Sequence, residues 1–232
     1  MKKVIISGGV AVGKSSVISE VINFLQSNNI KYIHVPEYID VKKDALDMLK
    51  KYLQKEISAF EFQTYVTSFF DEYLESIKIE GDEIIIFERC FDDGIVCFST
   101  LDYINGNMTE EEYFKLYKYA VELDKKYNAP SYFTNDNKIF IPIKTEDSFR
   151  DGNIISSIIT NKIATNNIII GLYNNDNTCY ERMLKRNRPG EVETYTRETI
   201  ADFNYIYKKL YKIIMEKDKI NVISLGSLMR NK

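Results

Sequence analysis

Val4-Ile5-Ile6-Ser7-Gly8-Gly9-Val10-Ala11-Val12-Gly13-Lys14-Ser15-Ser16 is the stretch on which the reading of this chain turns. Its β-branched, apolar start has the pattern of a strand buried on both faces of a parallel sheet. From Ser15 to Leu25 the apolar residues recur with a helical period. Between them, Gly8 to Ser15 has the spacing Gly-x-x-x-x-Gly-Lys-Ser, in the strand-to-helix setting that a phosphate-binding loop requires. The glycines let backbone N–H groups from Gly8 to Gly13 turn inward around phosphate oxygens. Lys14 then reaches the outer phosphates, and the Ser15 hydroxyl, with Ser16 beside it, ligates Mg2+ at the positive end of the helix. The loop predicts a nucleotide's phosphates held with Mg2+, and leaves open which P-loop class this is.

Outward from this loop the pattern alternates. Tyr32 to Pro36 predicts a second strand ending at Glu37, and helices follow at Val41 to Leu53 and Ser58 to Ile79. Glu83 to Phe87 predicts a third strand. Helices resume at Asp93 to Ile104 and Glu110 to Tyr127, the latter opened by a capping box from Thr109 and Glu112. Asn128 to Lys162 breaks the pattern with Pro130, an Asn/Asp-rich turn at Asn135 to Asn137, the apolar run Ile139 to Ile143 and Arg150-Asp151-Gly152. It reads as an insertion over 128–162 carrying a hairpin. Asn167 to Leu172 predicts a fourth strand, Thr178 to Lys185 and Thr196 to Met215 helices, and Ile220 to Ser224 a fifth strand. Strands alternating with helices imply a doubly wound parallel sheet in a single α/β domain.

Composition narrows the function. The 232 residues carry a net charge of −3, with no broad basic surface, which argues against a nucleic-acid polymer as partner. Cys90, Cys97 and Cys179 are odd in number and lack metal-ligand spacing, which suits free thiols in the cytosol. The apolar run after Met1-Lys2-Lys3 is too short for a signal or membrane segment. A switch GTPase would need Asn-Lys-x-Asp, but Asn161-Lys162 is followed by Ile163-Ala164.

Four further segments, in order, carry a resemblance: Pro36-Glu37, Phe62-Gln63-Thr64-Tyr65-Val66, Phe87-Glu88-Arg89-Cys90 and Arg186-Asn187-Arg188-Pro189-Gly190-Glu191. Together with the phosphate-binding loop they resemble the deoxynucleoside kinases, closest to the herpesvirus-type thymidine kinase branch over Asn167 to Tyr211, while the spacing from Tyr52 to Gln63 is more like the cellular branch. The resemblance runs from Val4 to about Met215, outside the insertion. It implies a P-loop, three-layer fold with strand order 2-3-1-4-5 and an arginine lid, and transfer of the γ-phosphate of ATP to the 5′-hydroxyl of a deoxynucleoside, most closely thymidine. It also implies a homodimer in the cytoplasm, the host's if the chain is viral.

The resemblance assigns roles to residues. Glu37, past the second strand where open α/β sheets bind ligands, is the base on the 5′-hydroxyl. Glu88 stands near Mg2+ and Arg89 near the reacting oxygen. Gln63, Val66 and Phe70, on one helical face, read the base, the carboxamide pairing with N3–H and O4 of thymine. Phe98 packs on the base. Tyr52 and Glu191 bind the sugar 3′-hydroxyl. Arg182, Arg186 and Arg188 close over the triphosphate. Cytidine- and purine-preferring members carry Arg and Asp where Phe70 and Gly94 stand here, which favours thymine. Two departures are Cys90, an accessible thiol where the family has a small residue such as serine, and Asp102, where many herpesvirus-type members have arginine. The lone histidine, His34, reads as packed within its strand. Rival readings are a thymidylate kinase, whose acceptor already carries a phosphate, and a nucleotide-binding regulatory module without transfer activity.

Overall fold

The computed structural model describes residues 2–132, 138–145 and 167–217. β1 (Lys2–Gly8), β2 (Tyr32–Val35), β3 (Ile84–Glu88), β4 (Lys138–Lys144) and β5 (Asn167–Tyr173) form one five-stranded sheet in the order β2-β3-β1-β5-β4. Every pairing is parallel. Successive residues of a strand face opposite sides, so the complete burial of Val4, Ile5 and Ile6 in a row means that both faces are covered. α1 (Lys14–Ser27) packs on β1 and β3, α3 (Ala59–Ser76) on β2, and α9 (Arg197–Lys217) on β4 and β5. The expected α/β class and parallel sheet are therefore present.

The edge of the sheet differs from expectation. The run Asn167 to Leu172 does lie beside β1. Its outer neighbour among the described strands is β4, built from the Ile139 to Ile143 run that the sequence placed in a hairpin-bearing insertion. Pro142 and the flanking polar turn disguised this strand. Proline lacks the N–H that a central strand must donate but is tolerated at an edge, where β4 lies among the described strands. Gly171 admits β4 closely: a Cβ there would stand 2.7 Å from the Phe140 ring and 2.9 Å from Tyr211. The expected strand at Ile220 to Ser224, the Asn135 to Asn137 turn and Arg150 to Gly152 lie outside the described residues.

The remaining helices are α2 (Ala45–Leu53), α4 (Phe91–Asp93), α5 (Thr100–Ile104), α6 (Glu110–Tyr127), α7 (Asp176–Arg186) and the short α8 (Glu191–Thr194). A π-helical turn, Gly94–Ser99, joins α4 to α5 without a break. Thr109 and Glu112 form the predicted capping box on α6. Among the described residues no helix is long and apolar enough to cross a membrane.

Two buried polar clusters tie these layers together. Under the phosphate-binding loop, Asp93 Oδ1 accepts from Ser7 Oγ and from Tyr207 Oη at 2.9 Å, and Tyr132 Oη donates to Ser7. Asp93 Oδ2 accepts from the Cys90 N–H at 2.9 Å, which fixes the turn leaving β3. Farther out, Asp92 and Asp124 meet at 0% and 6% exposure. Asp92 Oδ2 accepts from Ser131 Oγ and the Tyr132 N–H, each at 2.7 Å. Asp92 Oδ1 and both Asp124 oxygens have no hydrogen-bond partner among the described residues. Two such carboxyls share a proton, because both cannot ionise side by side in the interior. Burial, then the charge of Asp92, raises Asp124 to about 9.

This raised value sets a sign for stability. The stabilisation is complete below the ordinary carboxyl range and is lost as pH climbs toward about 9, by up to about 1.4 kcal/mol per pH unit for one proton. Asp124→Asn, which imitates the protonated acid, is expected to gain stability over the wild type steadily from pH 5 to pH 9 in urea unfolding. Parallel pH profiles for the two proteins would show that no proton is shared.

Candidate active site

The carboxyl ends of β1, β2 and β3 converge on the phosphate-binding loop. Gly13 begins α1 at φ 110, a left-handed conformation that glycine adopts without strain. The loop is braced from behind: Thr145 Oγ1, just past β4, donates to the Val12 carbonyl at 2.5 Å, and Asn174 Nδ2 donates to Thr145 Oγ1 at 3.0 Å. Neither Thr145 nor Asn174 was recognised from sequence, because the strand that delivers Thr145 was read as part of an insertion.

A cavity of about 220 Å³ opens over the loop, lined by Ala11 to Ser16, Glu37, Asp40, Glu88, Arg182, Arg186 and Arg188. It gathers the loop residues and the three arginines that the sequence assigned to the triphosphate. Gly8 and Gly9 lie behind it in the loop, and Val10 faces the neighbouring pocket. Ser15 Oγ donates to Glu88 Oε1 at 3.3 Å. A hydroxyl and a carboxylate this close, beside a phosphate cavity, are the hard oxygen donors that suit Mg2+. Burial, then the charge of Glu37, raises the Glu88 carboxyl.

A second pocket lies on the other side of Glu37. It is lined by Tyr52, Gln63, Val66, Phe70, Arg89, Phe98 and Glu191, the whole expected acceptor set, by Gly94, and by Tyr38, Leu49, Phe62, Asp93 and Tyr195, to which the sequence reading gave no role. Gln63, Val66 and Phe70 face it from one side of α3, as their spacing requires. Phe98 comes from the π-helical turn and stands 5.0 Å from the Arg89 guanidinium and 5.0 Å from the Phe203 ring, so it both lines the pocket and packs in the core. Cys90 also lines this pocket, but it is 1% exposed and burial pushes its thiol well up, so the expected accessible thiol is a buried one. His34 lines neither site, and burial lowers it.

Glu37 joins the two spaces. It is 7% exposed, and its Oε1 meets Arg89 Nη1 at 2.5 Å and Lys14 Nζ at 3.3 Å, while Oε2 lies 3.9 Å from Arg188 Nη1. Burial alone would raise this carboxyl, but Arg89, Lys14, Arg188 and Arg186 hold it at about 2. Arg89 reaches it from a left-handed backbone, φ 64, and also donates through Nε to the Gly8 carbonyl at 3.2 Å. Non-glycine residues adopt that conformation only where their surroundings impose it. Burial and Arg89 lower Lys14, against the pull of Glu37 and Glu88.

Tyr52 and Glu191, the pair expected to bind the sugar, are each held by protein groups. Tyr52 and Glu191 both line the acceptor pocket, but the Tyr52 hydroxyl donates to Asp102 Oδ1 at 2.8 Å. Glu191 is engaged by Arg186 and, at 3.5 Å, by Arg188. Two arginines expected over the triphosphate are thus paired with an acceptor-site carboxylate in this state. Arg182 Nη1 donates to the Val12 carbonyl at 3.4 Å, directly against the loop.

Solved structures of a deoxyadenosine kinase from M. mycoides share this architecture. The form with bound dATP is 19% identical, covers 97% of this chain and 90% of its own, and gives a TM-score of 0.57. The form with the products dCMP and a flexible dCDP is 16% identical over 99% of this chain and 97% of its own, with a TM-score of 0.59. The dCTP-bound form is 18% identical with the same coverage as the product form and a TM-score of 0.55. At these identities the likeness establishes the fold. No protein-family model matches the chain, and no curated protein matches it in sequence.

The unequal distances around Glu37 predict unequal costs. Arg89→Ala strips a buried carboxylate of its nearest partner and is expected to cost about 3–5 kcal/mol in denaturant unfolding without nucleotide. Arg188→Ala removes the more remote cation and is expected to cost about 1 kcal/mol or less. Equal losses would move the anchoring of Glu37 from Arg89 to Arg188.

Proposed function

We propose that the chain is a deoxynucleoside kinase that transfers the γ-phosphate of ATP to the 5′-hydroxyl of a deoxynucleoside, with thymidine as acceptor. The observation that carries this reading is the position of Glu37. It lines both the phosphate cavity and the apolar, aromatic acceptor pocket, which places a carboxylate where an alcohol entering from one side would meet a phosphate held on the other. The fold shared with the M. mycoides enzyme supports it.

The chemistry follows from charge. ATP phosphates in the cavity draw Lys14 toward themselves, and with it one of the cations that depress Glu37. The carboxylate then accepts the proton of the 5′-hydroxyl as that oxygen bonds to the γ-phosphorus and the bond from phosphorus to the leaving ADP breaks. Arg89 and the lid arginines neutralise the charge spreading over the transferred group. Ser15 and Glu88 would hold Mg2+, which when bound would offset the charge of the phosphates. Most of the acceleration comes from alignment, since a carboxylate held this acidic is a weak base until the phosphates arrive.

In this reading the acceptor is a neutral alcohol, and thymidylate is the rival that the acceptor assay below separates. No charged side chain stands at Phe70 or Gly94, so nothing at those two positions pairs with an exocyclic amine, and the Gln63 carboxamide suits N3–H and O4 of thymine. The same reading carries a cytosolic homodimer with ATP and Mg2+ as donor.

Incubation with ATP, Mg2+ and each acceptor in turn tests it. Thymidine is expected to be phosphorylated and thymidine monophosphate much more slowly; nucleotide binding with no phosphorylated nucleoside would reject the kinase reading. Glu37→Gln is expected to lower kcat about 100- to 10,000-fold while thymidine binding changes little. Unchanged turnover would remove Glu37 from the chemistry.

A further inference from the structure

One carboxylate beside the acceptor pocket has no part in the scheme above. Asp102, on α5, is 4% exposed. Its Oδ1 accepts from the Tyr52 hydroxyl at 2.8 Å, and its Oδ2 is buried with no hydrogen-bond partner. The carboxamides of Gln63 and Asn107 are its neighbours. An ionised carboxylate offers only acceptors, so it attracts the amino end of an adjacent carboxamide and repels the carbonyl end. Gln63 is oriented accordingly: its Oε1 is turned toward Gly94, 3.8 Å from where a Cβ on that residue would lie.

We propose that Asp102 is a positioning residue for acceptor selection, which fixes the flip of the Gln63 carboxamide while holding the Tyr52 hydroxyl. The proposal rests on the deoxynucleoside kinase reading and extends it. A carboxamide has two flips of nearly the same shape and opposite hydrogen-bonding sense. Free to turn, it reads N3–H and O4 of thymine in one flip and the N3 and amino group of cytosine in the other. A carboxylate beside one end abolishes this ambivalence, because a base that fits the wrong flip leaves buried polar groups unpaired. Asp102 also joins the base-reading residue on α3 to the sugar-contacting tyrosine on α2 through a single side chain.

Asp102→Asn keeps the shape but offers both a donor and an acceptor, so either flip is accommodated. The test is kcat/KM for the four deoxynucleosides with wild type, Asp102→Asn and Tyr52→Phe. Asp102→Asn is expected to narrow the ratio between the best and the next-best nucleoside about tenfold, with KM for the preferred nucleoside rising more than kcat falls. Tyr52→Phe, which leaves the carboxylate beside Gln63, is expected to weaken all four nucleosides together and keep their ratio. In the wild type the ratio should also narrow as pH falls and the carboxyl, raised by its burial, protonates. The groups that face it are Tyr52, Gln63, Asn107 and, farther off, Tyr195; neither tyrosine titrates on the acid side, and Asp102→Asn should show no such trend. Wild-type ratios in Asp102→Asn, or equal narrowing in Tyr52→Phe, would overturn the proposal. A wild type that phosphorylates no deoxynucleoside would instead fail the kinase reading itself, a different and recognisable result.

Discussion

A carboxylate that is 7% exposed persists at the end of β2 because Arg89 and Lys14 bracket one of its oxygens and Arg188 approaches the other. A lone buried charge would be neutralised by taking up a proton, so Glu37 depends on these cations and they on it. The three arrive from separate parts of the chain: Lys14 from the first helix, Arg89 from the turn after β3, Arg188 from the segment after α7. Their meeting point is also the boundary between a phosphate-sized cavity and an aromatic pocket. The rest of the site is arranged around that boundary.

The scaffold exists to hold Arg89 and the loop in register. Arg89 occupies a left-handed conformation, and the Asp93 carboxylate accepts from the N–H of the next residue, Cys90. Asp93 in turn is bound by Ser7 at the end of β1 and by Tyr207 of α9. The loop entrance, the turn after β3 and the last described helix are thus joined through one side chain. A buried polar network of this kind is stabilising only when its members are satisfied, and here the central acceptor has its donors. The Asp92 and Asp124 pair solves the same problem differently, by retaining a proton instead of recruiting cations.

In the state described, the lid arginines belong to the acceptor side as much as to the phosphate side. Arg186 and Arg188 both engage Glu191, and Arg188 lies between Glu191 and Glu37. Because Arg188 pairs with a carboxylate on each side, the two spaces are linked electrostatically. Tyr52 is likewise engaged by another protein group, the Asp102 carboxylate.

Local chemistry made much of this legible from residues alone. The glycines, lysine and serine of the first loop, the β-branched runs of β1, β3 and β5, and the i, i+3, i+7 spacing of Gln63, Val66 and Phe70 each carry their own signal, because backbone geometry and periodicity act over a few residues. Order along the chain then indicated which side chains gather around the two cavities. What no short window could contain was the outcome of packing at a distance. The run Ile139 to Ile143 became a sheet strand because Gly171 leaves room for Phe140 and Tyr211, residues far away in sequence. The burial of Cys90, the turning of Tyr52 toward Asp102 and the pairing of the lid arginines with Glu191 were likewise decided only by the tertiary structure. Each is the choice of one partner among several that the same side chain could have had, and only three-dimensional proximity makes that choice.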